Sequence, residues 1–134
     1  MDKLTPDERS RVMAKVKNAN TTPELLVRRL LHRMGYRFKL NDKKLAGSPD
    51  IVLPRHRKVI FVHGCFWHGH DCVRGKRPTT RVEFWNAKID RNIERDRLAL
   101  DTLATAGWKV LIIWECWTKS SQQLQQLLSD FMQS

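Results

Sequence analysis

The chain has 134 residues and carries 25 Lys and Arg against 14 Asp and Glu, a formal net charge of +11. This is one domain's worth of chain, and with 41% hydrophobic residues it can bury a core without disulfide staples, which excludes a wholly disordered protein. The excess of cations favours a polyanionic partner (DNA, RNA or an anionic membrane face), while no apolar stretch approaches the ~18–20 residues of a membrane span.

The opening segment, MDKLTPDERS, is polar and charged and does not read as a secretory signal, so the cytosol is the expected compartment. Thr5-Pro6-Asp7-Glu8 reads as a capped helix start, and a short helix over about 5–18 carries Arg9, Arg11, Lys15 and Lys17 around Val12, Met13 and Val16. Thr22-Pro23-Glu24 starts a second helix, with Leu26, Val27, Leu30, Leu31 and Met34 at helical spacing and Gly35 at its C-terminal stop. Residues 36–40 suit an edge strand. The runs 51–53, 59–62 and 110–114 are apolar strands, the latter two expected to be buried on both faces. Only residues 54–57 separate the first two of these runs, so they are expected to be antiparallel neighbours. A long helix over 82–106 places Ile89, Ile93, Leu100, Leu103 and Ala104 on one face, and Gly107 ends it. A last helix carries Leu124, Leu127, Leu128 and Phe131. The order predicts an α/β fold, a central mixed sheet flanked by helices, in one domain over residues 1–134.

The segment His63-Gly64-Cys65-Phe66-Trp67-His68-Gly69-His70-Asp71-Cys72 directly follows a buried strand. It concentrates the soft thiolates and imidazoles that a tetrahedral Zn²⁺ site needs. Cys65, Cys72 and one of the histidines supply three ligands, and Cys116, at the end of another strand, can arrive as the fourth. Three cysteines cannot form a closed disulfide set, and in the cytosol clustered cysteines point to metal or reactivity. At least two histidines are then left over, and an unligated imidazole on a basic protein suits acid/base work on a phosphodiester.

Asp50, at a strand start, is either a turn-former or a ligand for Mg²⁺, and the short connection brings it next to His63. Glu24 has two readings as well, a helix-start carboxylate favoured by the helix dipole or a third member of the site. Phe66 and Trp67, flanked by glycines, are not expected both to enter the core. With Trp85 they read as an apolar wedge of the kind that enters base steps. Lys76, Arg77 and Arg81 add phosphate-binding capacity, or form a solvated loop.

The runs FVHGCFWHGHDC, TTRVEFWNAKIDRNIERD and GWKVLIIWEC resemble those of the very-short-patch-repair DNA mismatch endonucleases, over about residues 9–116. The resemblance implies a restriction-endonuclease-like core and a structural zinc site. It implies nicking 5′ to the mispaired T of T:G mismatches left by deamination of 5-methylcytosine. By position, Asp50 and the backbone carbonyl of Val62 would hold catalytic Mg²⁺. Val62 departs from the threonine of the best-known member, but a carbonyl contact survives that change. Phe61 fills the usual acidic position, leaving Asp50 as the one side-chain carboxylate on the metal. His63 would stand where the wider superfamily has lysine and would polarise the phosphate. His68 would be the general base, supported by Glu24, and Asp96 would support His63. Cys65, His70, Cys72 and Cys116 would hold structural Zn²⁺. Phe66, Trp67 and Trp85 would form the intercalating wedge, with Met13 reaching in from the minor groove. The implied partners are double-stranded DNA carrying a T:G mismatch, a functionally linked cytosine-5 methyltransferase and mismatch-repair proteins. The chain is expected to act as a monomer, away from membranes. The rival readings are a restriction-type or mobile-element nuclease on the same core and a non-catalytic zinc-bearing nucleic-acid-binding module.

Overall fold

A computed structural model describes residues 21–134. The helix expected at about 5–18, with Met13, lies outside the described residues. The first described element, α1, spans Thr22–Arg33. Thr21 caps it by accepting the Glu24 N–H at 3.4 Å, and Pro23 sits in the first turn, where a missing donor costs nothing. At the far end Gly35 takes φ +92°, the left-handed conformation that stops a helix cheaply.

Four strands follow: β1 (Lys39–Leu40), β2 (Ile51–Leu53), β3 (Lys58–His63) and β4 (Lys109–Trp114). They form one mixed sheet in the order β1-β2-β3-β4. β2 and β3 pair antiparallel, with Ile51 opposite Ile60, as their four-residue connection requires. The 24-residue helix α2 (Val82–Thr105) carries the chain back across the sheet, so β4 pairs parallel to β3. Helix α3 (Ser121–Gln133) closes the fold, capped by the Ser120 hydroxyl.

Side-chain alternation along β2 and β3 splits the core into two layers. Ile51, Leu53, Ile60 and Val62 face α1 and α3 and pack with Val27, Leu31, Leu124 and Leu128. Val52, Val59 and Phe61 face α2 and pack on Leu103. Lys58 is 4% exposed, yet its ammonium is satisfied. It donates to the carbonyls of Phe131, Met132 and Ser134 at 2.8, 2.9 and 3.1 Å, pinning the open C-terminal end of α3 to the sheet.

Two expectations need correction. The early edge strand is shorter than 36–40, being only Lys39–Leu40. Residues 110–114 are not buried on both faces, since within β4 only Ile113 is buried. β4 is one of the two outer strands, and among the described residues it pairs with β3 alone, so its outer flank is left open despite an apolar sequence.

Candidate active site and metal cluster

The end of β3, the end of β4, the entry to β2, the first turn of α1 and one face of α2 converge on a cleft of about 800 Å³. Glu24, Asp50, Val62, His63, His68 and Asp96 all line it. Asp50 precedes β2 and turns its carboxylate onto the neighbouring strand, where Oδ2 accepts the Val62 N–H at 2.6 Å. Burial pushes the Asp50 carboxyl up to about 6, the Val62 bond opposes the rise, and the Glu24 carboxylate adds to it. A cation beside Asp50 would relieve that cost. In a strand, the N–H and C=O of one residue point to the same side, so the Val62 carbonyl also faces the Asp50 side, beyond the last β2–β3 pair. A half-buried carboxylate and a carbonyl at a strand end are hard oxygen donors, and they fit Mg²⁺. Glu24 is 2% exposed and is paired with Arg28 at 3.2 Å.

The His63 and His68 rings stack face to face, 3.8 Å apart and 5° from parallel. Asp96, on α2, places Oδ2 2.5 Å from His68 Nδ1. Its hydrogen bond goes to His68, and an Asp96 oxygen also lies within 4.8 Å of a His63 ring nitrogen, close enough for its charge to act on the His63 ring as the resemblance implies. His63 is 5% exposed and its Nδ1 is buried without a partner. Burial lowers its pKa to about 4, with His68 adding to the effect, so His63 is neutral at pH 7.

Beside this cleft, one ligand atom from each of Cys65, His70, Cys72 and Cys116 falls within 4.8 Å of the others. The sheet register explains the meeting. His63 lies opposite Trp114, and Cys65 and Cys116 each follow two residues later. The Cys116 sulfur is 3.6 Å from His70 Nδ1. Burial raises the Cys65 thiol to about 12, so a thiolate forms here only with a cation to stabilise it. Three sulfurs and one imidazole make a set able to hold a metal ion.

Trp114 stacks on His70 at 4.1 Å and meets His63 edge-on at 5.4 Å, so one indole touches both the cluster and the imidazole pair. The sequence reading missed Trp114, and it missed two further residues. Glu115 accepts the Cys65 N–H at 3.4 Å and lines the cleft. A Cβ on Gly75 would sit 1.9 Å from the His70 carbonyl oxygen. A glycine three residues beyond Cys72 was the one available signal for a close backbone approach.

The aromatic wedge is corrected in part. Phe66 and Trp85 are 8% and 3% exposed and pack with Ile89 in a small cluster of their own. Only Trp67 of the three is half-exposed, because the loop folds back on α2 instead of projecting from it. Asn92 holds the loop there by donating to the Trp67 carbonyl at 3.1 Å. In the basic loop, Arg77 bonds Asn86 and Asp90 at 3.1 and 2.8 Å, Arg81 lies over the Phe84 ring at 4.3 Å, and Lys76 is exposed.

Residues 1–74 match the family model described as DNA mismatch endonuclease Vsr. A type II nicking enzyme, V.XorIIP, of Xanthomonas oryzae pv. oryzae is 50% identical over 115 residues, 86% of this chain and 85% of the relative. The DNA mismatch endonuclease Vsr of Escherichia coli K12 is 44% identical over 123 residues, covering 92% and 77%. The type II nicking enzyme V.NmeAIP of Neisseria meningitidis serogroup A is 42% identical over 128 residues, covering 96% and 91%. A mixed sheet with a carboxylate and paired imidazoles at one end, in a chain with such relatives, is that of a DNA-acting nuclease, a hydrolase. The chain belongs to the Vsr family of DNA mismatch endonucleases.

Proposed function

We propose that the chain nicks one strand of duplex DNA 5′ to the mispaired T of a T:G mismatch, the product of 5-methylcytosine deamination, and so opens the strand for short-patch repair. The observation that carries this reading is the convergence of Asp50, Val62, His63, His68 and Asp96 on one cleft in a member of this family.

Each residue then has a defined task. Asp50 and the Val62 carbonyl would hold Mg²⁺, which when bound neutralises the phosphate and the leaving oxygen. Asp96 accepts from His68 Nδ1 and so fixes the tautomer, leaving Nε2 with a lone pair to take a proton from the attacking water. His63, neutral because it is buried, serves as a hydrogen-bond donor to the scissile phosphate rather than as a point charge. Glu24, in the same cleft, would support His68, and its charge adds negative potential at Asp50. Cys65, His70, Cys72 and Cys116 would hold Zn²⁺ in a closed, four-ligand site that supplies folding free energy and takes no part in the reaction. Trp67, with Phe66 and Trp85 behind it, would be the wedge at the mispaired step, with Met13 entering opposite. Lys76, Arg77 and Arg81 would contact phosphates.

The partner in the cell is a cytosine-5 methyltransferase that creates the lesion's precursor, and the compartment is the cytoplasm. No helix among the described residues is long and apolar enough to cross a membrane.

The test is nicking of matched, T:G and other mismatched duplexes with and without Mg²⁺. Cleavage confined to T:G and dependent on Mg²⁺ is expected. Double-strand cutting of matched duplex would replace this reading with a restriction-type one. Binding without any cleavage would leave a zinc-bearing DNA-binding module.

A further inference from the structure

The connection between β1 and β2 is not a slack loop. Asn41 takes φ 49° and bonds the Asp50 carbonyl at 3.1 Å, and Gly47 and Ser48 both take positive φ at the other end. Leu45 and Ala46 tuck into the α2-side core, and Gly47 and Ser48 line the cleft. The Asp42 carboxylate accepts the Lys44 backbone N–H at 2.9 Å, so it is occupied in making the turn. This anchored loop, with the strand that leads into it, presents Arg37, Lys39, Lys43 and Lys44, all exposed. Among the described residues none of the four makes an ion pair.

On the α2 side of the cleft, Lys88 and Arg95 line the opening with no ion pair among the described residues, whereas farther out Arg77 is paired with Asp90, and Arg97 with Glu94 and Asp101. Unpaired ammonium groups cost no desolvation of a partner when they meet a phosphate, and a rigid loop loses little entropy in presenting them.

We propose that the β1–β2 loop is a phosphate-binding arm. In it, Lys43 and Lys44, backed by Lys39, grip the sugar-phosphate backbone of the duplex as it leaves the cleft mouth. The arm rests on DNA being the substrate, and it extends the footprint beyond the cleft along the loop that packs beside α2. It holds the backbone only, so its contribution is the same for every base sequence.

The experiment measures equilibrium binding of T:G and matched duplexes by fluorescence anisotropy over a salt series, without Mg²⁺, so that no DNA is cut. The chains are the parent, Lys43→Gln/Lys44→Gln, and Arg97→Gln as a control for loss of net charge. Each lost phosphate contact makes the log–log salt slope shallower by about 0.9. The double variant is expected to lose about 1–2 units of slope, equally on both duplexes, while Arg97→Gln keeps the parent slope. An unchanged slope in the double variant, a change matched by Arg97→Gln, or a loss confined to the T:G duplex would each overturn the arm. Because binding is scored without cleavage, these outcomes are independent of whether the parent nicks T:G DNA.

Discussion

Replacing Asp50 by Asn removes a charge that the cleft desolvates, yet it keeps an oxygen able to accept the Val62 N–H. The carboxyl rises from 3.8 to about 6 on folding, chiefly through burial. The folded chain therefore holds that proton more tightly than the unfolded one, and stability is lost as pH climbs from near 4 to 6. Above pH 6 the full cost applies, and at 1.36 kcal/mol per unit it is about 3 kcal/mol. With an unfolding entropy of roughly 2.1 cal/mol/K per residue, that corresponds to a melting temperature about 10 °C higher for Asp50→Asn at pH 7.5 without Mg²⁺. The gap should close near pH 4, where both chains are neutral at this position. Adding Mg²⁺ should raise the melting temperature of the parent and leave that of the variant unmoved, by mass action on the folded state alone. Calorimetry across pH with a parallel nicking assay reads all of this, and nicking should be lost in the variant throughout. A variant no more stable than the parent at pH 7.5, or equally stabilised by Mg²⁺, would refute the account of Asp50 as a strained cation seat.

Other perturbations separate the remaining parts. His68→Ala should lower the nicking rate by about 10²–10⁴-fold with T:G binding retained, measured by single-turnover cleavage beside a binding titration. Trp67→Ala should weaken T:G binding more than matched binding. Trp85→Ala, which empties a core site, should instead cost about 3–5 kcal/mol of stability in a denaturant titration. Gly75→Ala forces a methyl onto the His70 carbonyl, so it and Cys116→Ser should both lower metal content and melting temperature together, read by metal analysis and calorimetry.

Legibility from sequence followed the range of the interaction. The apolar runs of β2 and β3, their short connection, the start of α1 at Thr22-Pro23 with its stop at Gly35, and the length of α2 are local, and each was readable. So was the Cys/His loop, because three of the four candidate metal ligands, Cys65, His70 and Cys72, lie within eight residues of chain. Partnerships set by packing were not readable. The hydrogen bond from Asp96 to His68, 28 residues away in sequence, beside a His63 ring that it also approaches, depends on where α2 crosses the loop. The burial of Phe66 and Trp85 depends on the same crossing. The open flank of β4 is a property of strand order, and an apolar strand reads the same at an edge as in the middle of a sheet. Trp114 looked like one more core residue, and only the β3–β4 pairing puts it between His70 and His63.

The parallel pairing of His63 with Trp114 leaves Cys65 and Cys116 at equal distances past the last rung of the sheet. If β4 slipped by one residue, its thiol would move about 3.3 Å along the strand, and every side chain would turn to the opposite face. Ligands bound at about 2.3 Å in a tetrahedron cannot close over such an offset. A metal ion at this cluster therefore reads strand alignment. It would bind the correctly aligned sheet in preference to slipped ones, and binding would draw the population toward the alignment that also stacks His63 on His68. With a metal bound, the cluster would act as a proofreader of folding, favouring chains in which β3 and β4 have found the right alignment.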